Sequence, residues 1–229
     1  MLKDGLQDHR HRYALANELH ARPFPVLRAP CRALMLAIKP ARNAASRDPE
    51  EDLAHLRDLL DRHGAPHPPP GASHYSGALG RLGFKWERHT EFVTYTLFAD
   101  GVADQPFAGL TEGSFPRDWL ARAPGQVVTS ALVRVEAFET AEEIEAASRG
   151  RMRDWFVSES LALSRVADGQ AVVAGDFRID PSGHIRFAIL ARQGIEERRL
   201  GRLVQRLLEI ETYKSMAMLT LPVAREVAA

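Results

Sequence analysis

Apolar residues recur every three to four positions near the C-terminal end, and this spacing predicts a long amphipathic helix that begins near residue 196. Its apolar stripe consists of Leu200, Leu203, Val204, Leu207, Leu208 and Ile210. A second face aligns Arg202, Arg206, Glu209, Tyr213 and Met216, with Gln205 beside them. Pro222 is expected to kink or end the helix, because proline lacks a backbone N–H. The polar face is either solvated or directed at a partner or a cleft.

In the first half of the chain, the pattern of apolar and polar residues predicts a short N-terminal helix at 8–21, then one strand, one helix and a β-hairpin. The apolar run 32–38 has the length of a strand, and 50–63 carries leucines at helical spacing behind an acidic first turn. Residues 82–98 are rich in aromatic and β-branched side chains but are too long for one ordinary strand. We therefore expect a hairpin that turns near 89–91, with one long bent strand as the alternative.

The second half repeats this order of elements. The alternating segment 127–138 predicts a strand, and a capping box at Thr140 predicts a helical region that extends or restarts as far as 165. A hairpin is expected over 171–179 and 184–190. Its turn is Asp180-Pro181-Ser182-Gly183, in which proline at the second position and glycine at the fourth favour a type I turn.

Together these elements predict an α+β fold of two β-α-β-β-like halves that form mixed or antiparallel sheets, with the C-terminal helix packed across them. The first half, with the N-terminal helix, is expected at 1–110 and the second at 127–195. A glycine- and proline-rich connector at 111–126 separates them, and the C-terminal helix occupies 196–229. The repeated order suggests a duplication. Coincidence is the alternative, because the halves share negligible sequence identity.

Charge and composition narrow the classes of function. The 30 basic and 30 acidic residues give a formal net charge of zero, which argues against nucleic acid as the main ligand. The single cysteine, Cys31, excludes an internal disulfide and fits a reducing compartment. No stretch approaches the ~18 consecutive apolar residues of a membrane-spanning helix, and the N-terminus lacks the apolar core of a secretory signal. We therefore expect a soluble, cytoplasmic chain.

Histidine and carboxylate side chains support one hypothesis, general acid–base chemistry. Glu87 and His89 share one face of the predicted hairpin, and His20 lies in the segment NELHARPF. These three residues are the candidate catalytic residues of a small-molecule hydrolase or ligand-modifying enzyme. Their spacing matches no zinc signature, and the chain has no phosphate-binding or dinucleotide-binding glycine motif, so we predict no metal and no cofactor. The alternative is a structural role in ion pairs and hydrogen bonds.

Arginines and carboxylates support a second hypothesis, a binding site at the junction of the halves. The candidates are Arg22, Arg88, Asp176, Arg178, Arg202, Gln205, Arg206 and Glu209. An arginine-rich cleft suits a small anionic ligand, because guanidinium presents a planar fork to carboxylate or phosphate. The same charges can instead neutralise one another. A protein partner or a homo-oligomer also fits, because the apolar stripe of the C-terminal helix needs to be covered.

Four blocks resemble a known family: NELHARPF at 17–24, WERHTEFVTYT at 86–96, Gly175–Phe177 with Gly183, and GRLVQRLLEIETYKSMAMLTLPVAR at 201–225. The chain resembles the bacterial uncharacterised membrane-anchored proteins, a domain of unknown function (DUF3422). The resemblance implies an α+β N-terminal region that is followed, in longer members, by a helical segment and a membrane anchor. It implies no reaction. We expect a ligand- or partner-binding domain at the cytoplasmic face of the inner membrane, with an enzyme as the alternative.

Overall fold

One mixed sheet of eight strands organises the chain in the computed structural model, which describes residues 7–10, 12–13 and 23–221 apart from the side chain of Glu112. The strands are β1 (Cys31–Lys39), β2 (His74–Leu79), β3 (Leu82–Arg88), β4 (Val93–Asp100), β5 (Gln126–Phe138), β6 (Ala162–Val166), β7 (Ala171–Ile179) and β8 (Ile185–Arg192). They lie in the order β2-β3-β4-β1-β5-β8-β7-β6. The helices are α1 (Pro49–Arg62), α2 (Arg117–Ala121), α3 (Ala141–Gly150), α4 (Met152–Trp155) and α5 (Glu197–Met218). The α+β class and the long C-terminal helix are confirmed.

β1 lies at the centre of the sheet and joins the two halves. It pairs antiparallel with β4 on one side and with β5 on the other, while β5 and β8 form a parallel pair. Its sequence, CRALMLAIK, is apolar at most positions and is almost entirely buried. A strand with so little polar alternation needs cover on both faces. The helices supply that cover.

The two faces of the sheet carry different helices. On the first, which we call the α1 face, Leu34 and Leu36 pack with leucines of α1, and the face continues under α3 through Ala188 and Leu190. On the second, the α5 face, Ala33 and other alternate residues pack against the apolar stripe of α5. Because side chains alternate along a strand, residue parity decides which face each one occupies. This alternation separates the polar clusters described below.

Within the described residues, the predicted elements agree with the structure except at two strands. The hairpin near 89–91 and the turn at 180–183 are confirmed, the latter by Gly183 N–H donating to the Asp180 carbonyl over 2.9 Å. The prediction of helix as far as 165 is wrong, because the chain forms edge strand β6 there. The edge strand β2 was also missed. The predicted helix 8–21 lies mostly outside the described residues, as does Pro222.

The halves share an order of elements but not a common set of strand directions. Each half contains a strand, helical segments and then three strands, one more than predicted. However, β4 runs antiparallel to β1, whereas β8 runs parallel to β5. A simple duplication would give both pairs the same direction. The structure therefore does not show an internal repeat.

Candidate functional site

Close contact between α5 and the segment 23–28 forms one wall of the candidate site. Gly201 makes this approach possible, because a Cβ at that position would overlap the carbonyl oxygen of Pro25. The Leu27 N–H also donates to the carbonyl of Glu197 over 3.2 Å, next to the start of the helix. A glycine inside a helix costs about 1 kcal/mol relative to alanine. The absence of a Cβ at Gly201 lets α5 pack directly against the backbone of Pro25.

A narrow cleft, which we call the α5 cleft, lies between α5 and strands β1, β3 and β4. It leaves a space of about 20 Å³ for the centres of water molecules, which is room for about one water. Its polar lining residues are Lys85, Glu87, His89, Thr94, Thr96, Gln205, Glu209, Thr212 and Tyr213. Its apolar lining residues are Pro25, Met35, Phe92, Phe98 and Leu208. Such a cleft admits a slim group between apolar walls.

A continuous network of hydrogen bonds connects the sheet to α5 inside this cleft. Lys85 Nζ donates to Glu87 Oε1 over 2.8 Å and to Gln205 Oε1 over 2.6 Å. Gln205 Nε2 donates to Glu209 Oε1 over 2.8 Å, and Arg206 Nη1 donates to the other oxygen of that carboxylate over 3.1 Å. Lys85, Glu87 and Gln205 are each at least nine-tenths buried. Lysine and glutamate are rarely so buried unless they are paired.

One buried hydroxyl group in the cleft lacks a hydrogen bond. Thr94 is 5% exposed, and its Oγ1 has no partner anywhere in the described part of the chain. Thr94 lies directly opposite Glu87 in the β3–β4 pairing, so its hydroxyl belongs to the same face as the charged network. Burying a hydroxyl without a partner costs roughly 1–3 kcal/mol. The cleft therefore contains a hydrogen-bonding group that the protein itself does not use.

An aromatic cluster closes the end of the cleft at the β3–β4 turn. The His89 ring stacks on Phe92 with 4.2 Å between centroids, and Tyr213 OH lies 3.3 Å from His89 Nδ1. Arg47, whose side chain is 8% exposed, holds this turn from the α1 side, donating to the His89 carbonyl over 2.8 Å and to Asp52 over 2.7 Å. Desolvation by burial raises the pKa of Asp52, although the Arg47 hydrogen bond opposes this shift. Sequence reasoning missed Arg47, which lies in a polar loop without a motif.

The structure brings four of the sequence-predicted candidates together and leaves others elsewhere. Glu87, His89, Gln205 and Glu209 all line the α5 cleft. His20 and Arg22 lie outside the described residues, so the enzyme hypothesis, which requires His20 to approach Glu87 or His89, stays a prediction.

Two of the candidate arginines lie on α5 at the rim of the cleft, and a third, on β3, lies on the opposite face of the sheet. Arg202 and Arg206 stack over the Phe24 ring, with 5.1 and 5.8 Å to its centroid. Arg88 donates instead to the Pro49 carbonyl, at the first residue of α1, over 3.2 Å. The predicted polar face of the helix is therefore divided between the cleft and its rim.

Asp176 and Arg178 are not brought together with the β3 residues. Both belong to β7, which is five strand spacings from β3, or roughly 24 Å at the usual ~4.8 Å per strand. Asp176 accepts from the Val157 N–H over 2.9 Å on the α1 face, and Arg178 donates to Ser160 over 2.6 Å. The sequence hypothesis placed both residues with Arg88 of β3 at the junction of the halves. The continuous sheet separates them instead.

The described residues offer donors and acceptors but no evident metal centre. Within residues 7–10, 12–13 and 23–221, no group of three or more His, Cys, Asp or Glu side chains could hold a metal ion. In that same part of the chain, no helix is long and apolar enough to cross a bilayer. The α5 cleft itself presents hydrogen-bonding groups between apolar walls.

Comparison with known proteins identifies the family. The model of the family described as "Protein of unknown function (DUF3422)" matches residues 7–229. The chain belongs to this family. Searches of curated proteins and of solved structures found no match. The DUF3422 assignment confirms the resemblance seen in the sequence blocks and assigns no reaction.

Proposed function

We propose that this DUF3422 domain is a ligand-binding module whose α5 cleft takes the slim, uncharged polar end of a small molecule. The observation that carries the proposal is the unused hydroxyl of Thr94, buried beside the Lys85–Glu87 pair in a cleft with room for about one water. A hydroxyl, amide or urea group can both donate and accept hydrogen bonds there. Such a group would satisfy Thr94 without displacing the network.

The charge balance of the cleft favours an uncharged ligand end over an anion. Lys85 is paired with Glu87 at 2.8 Å, and Arg206 is paired with Glu209 at 3.1 Å. A bound carboxylate would add a third negative charge next to these two carboxylates, in a region of low dielectric constant. The apolar residues that line the cleft suit an apolar body behind the polar end.

Methyl NMR tests the proposal directly, because methionines report on both faces of the sheet. Met35 lines the α5 cleft, whereas Met152 is fully buried in the cluster under α3 and α4. The protein, labelled at methionine methyl groups, is titrated with neutral amides, alcohols and ureas and with their carboxylate and ammonium analogues. We expect some neutral fragments to shift the Met35 signal and leave the Met152 signal unchanged.

Two results of this titration would overturn the proposal. One is that no neutral fragment shifts the Met35 signal selectively at millimolar concentration. The other is that the charged analogues bind more tightly than the neutral fragments, since the balanced cleft then serves a different ligand.

We also propose a location, the cytoplasmic face of the inner membrane, for the longer protein in which such a domain would work. The support is the family resemblance, which implies a membrane anchor in longer members. Fractionation of cells that express the native gene is the test. Recovery of the protein with the inner membrane supports this location, and recovery only in the soluble fraction contradicts it.

A further inference from the structure

Three arginines from three adjacent strands form a row on the α1 face, opposite the α5 cleft. Arg32 on β1 lies directly opposite Arg134 on β5. Arg186 on β8 lies opposite Leu132, one step along the same face of β5 from Arg134. Neighbours of this kind approach within ~5–8 Å at the Cα level. We call these three residues the arginine row.

Two members of the arginine row have buried donors without acceptors. The Nε atoms of Arg32 and Arg186 are buried, and neither has a hydrogen-bond partner among the described residues. Guanidinium has five N–H donors and no acceptor, so only an oxygen-rich group can satisfy it. Arg134 differs, because it donates to Glu136 over 2.8 Å and to the Ala103 carbonyl over 2.6 Å.

Positive charge in and beside the row exceeds the negative charge that faces it. Glu136 is shared between Arg134 and Arg151, the latter at 2.7 Å. Asp176 and Asp180 lie 3.9 and 3.7 Å from the Arg186 guanidinium, too far for hydrogen bonds. Four guanidinium groups, including that of Arg151, thus face three carboxylates. No ion pair of Arg32 occurs within the described ranges.

The loop at 101–110 covers the row and touches each member. Ala103 accepts from Arg134, and the Phe107 ring lies 5.5 Å from the Arg186 guanidinium. At Gly109, φ is +83°, and a Cβ there would lie 2.7 Å from Arg32 Nη1. Phe107 has φ of +60°, an unfavourable backbone conformation for an aromatic residue. Strain of this kind persists where the surroundings impose it, often at ligand clamps.

We propose that the arginine row is a binding site for the phosphate or carboxylate group of a ligand, which enters when the loop at 101–110 lifts. The anion accepts from the unused donors of Arg32 and Arg186 and replaces the contacts that the loop makes with them. The planar fork of each guanidinium favours a bidentate contact. Because the row and the α5 cleft lie on opposite faces of the sheet, this site is independent of the proposed neutral-ligand site.

Isothermal titration calorimetry at low ionic strength tests the site, with pyrophosphate and malonate as separate probes. We expect saturable binding of at least one probe, which also shows whether phosphate or carboxylate is preferred. Arg32→Gln and Arg186→Gln are each expected to weaken binding at least tenfold. Arg81→Gln is the control, because Arg81 is exposed in the turn between β2 and β3 and lies outside the row; it should leave affinity unchanged.

A second pair of variants keeps the test decisive if the glutamine variants fold poorly. Arg32→Lys and Arg186→Lys retain the charge but lose Nε and the planar fork, and we expect them to fold and still bind at least fivefold more weakly. The proposal is overturned if neither probe binds the wild-type protein. It is also overturned if folded Arg32 and Arg186 variants bind as tightly as the wild type.

Discussion

At the scale of single residues, the buried Lys85–Glu87 pair shows how α5 changes the meaning of a local sequence. In the strand LGFKWER, Lys85 and Glu87 alternate with apolar residues, a pattern that is typical of a strand with one face in solvent. Their burial comes from α5, whose Gln205 accepts from Lys85 over 2.6 Å. No local pattern predicts this contact, because it joins residues 120 positions apart. Sequence reasoning identified Glu87 and Gln205 as candidates but not Lys85 or Thr94.

Removing one partner of this pair is expected to destabilise the fold strongly. Lys85→Met removes the ammonium group that lies beside the buried Glu87 carboxylate, which should lower the free energy of unfolding by roughly 3–5 kcal/mol. The double variant Lys85→Met/Glu87→Met should recover most of this loss. Urea denaturation measures both. As a control, Arg57→Ala breaks the exposed pair with Glu50 and should cost less than about 1 kcal/mol. A Lys85→Met variant as stable as the control would contradict the buried network.

A second residue-scale prediction concerns His55, whose pKa is lowered chiefly by burial. Its ring lies 2.8 Å from Tyr95 OH and 3.0 Å from the Trp119 carbonyl. The unfolded chain takes up a proton near pH ~6.5, whereas the folded protein does so only at lower pH. Stability should therefore decrease as the pH falls below about 6.5 and level off below the folded pKa.

The contribution of His55 can be isolated with His55→Gln, which keeps a hydrogen-bonding side chain but cannot titrate. We expect this variant to lose part of the decrease in unfolding free energy between about pH 6.5 and pH 5. Chemical denaturation at a series of pH values provides the measurement. An identical pH dependence in variant and wild type would mean that His55 is not the responsible group.

At the scale of secondary-structure elements, long and strongly patterned segments were predictable and short edges were not. The leucine spacing of α1 and the turn residues at 180–183 each specify an element locally. β2 and β6 are short edge strands, and each is paired on one side only. Their sequences, HYSGAL and ALSRV, contain little apolar alternation because much of their surface remains exposed. Pairing with β3 and β7 determines their structure.

The packing of α5 depends on Gly201, and this gives an element-scale prediction. Gly201→Ala places a Cβ on the Pro25 carbonyl, so the helix or the segment 23–28 must move. We expect a loss of at least about 2 kcal/mol in unfolding free energy, despite the better helix propensity of alanine.

Gly150→Ala is the matched control for this prediction. Gly150 also lies in a helix, at the end of α3, but nothing lies within 4 Å of an added Cβ. The control should be neutral or stabilising by up to about 1 kcal/mol. Thermal and urea denaturation compare the two variants. Equal effects at both glycines would show that the close approach of α5 to Pro25 is not needed.

At the scale of the whole molecule, the sheet keeps two polar regions apart. The α5 cleft and the arginine row share strand β1 but lie on opposite faces of the sheet. Strand order was not deducible from the sequence, since the same elements fit several sheets. For that reason Asp176 and Arg178 were grouped with Arg88, although β7 lies far from β3. Residue chemistry was therefore more predictable than residue proximity.

The most direct test of the central claim compares two threonines that are alike except in location. Thr94 and Thr129 are both buried on the α5 face with an Oγ1 that lacks a partner among the described residues, but only Thr94 lines the α5 cleft. Valine at either position removes an unsatisfied hydroxyl, so both variants should gain roughly 1 kcal/mol in unfolding free energy.

The deciding measurement is the dissociation constant of the neutral fragment that shifts Met35 most, determined for wild type, Thr94→Val and Thr129→Val. If the α5 cleft is a ligand site, Thr94→Val weakens binding at least fivefold and Thr129→Val leaves it unchanged. Equal affinity in all three proteins, or the absence of any fragment that binds at Met35, would contradict the account.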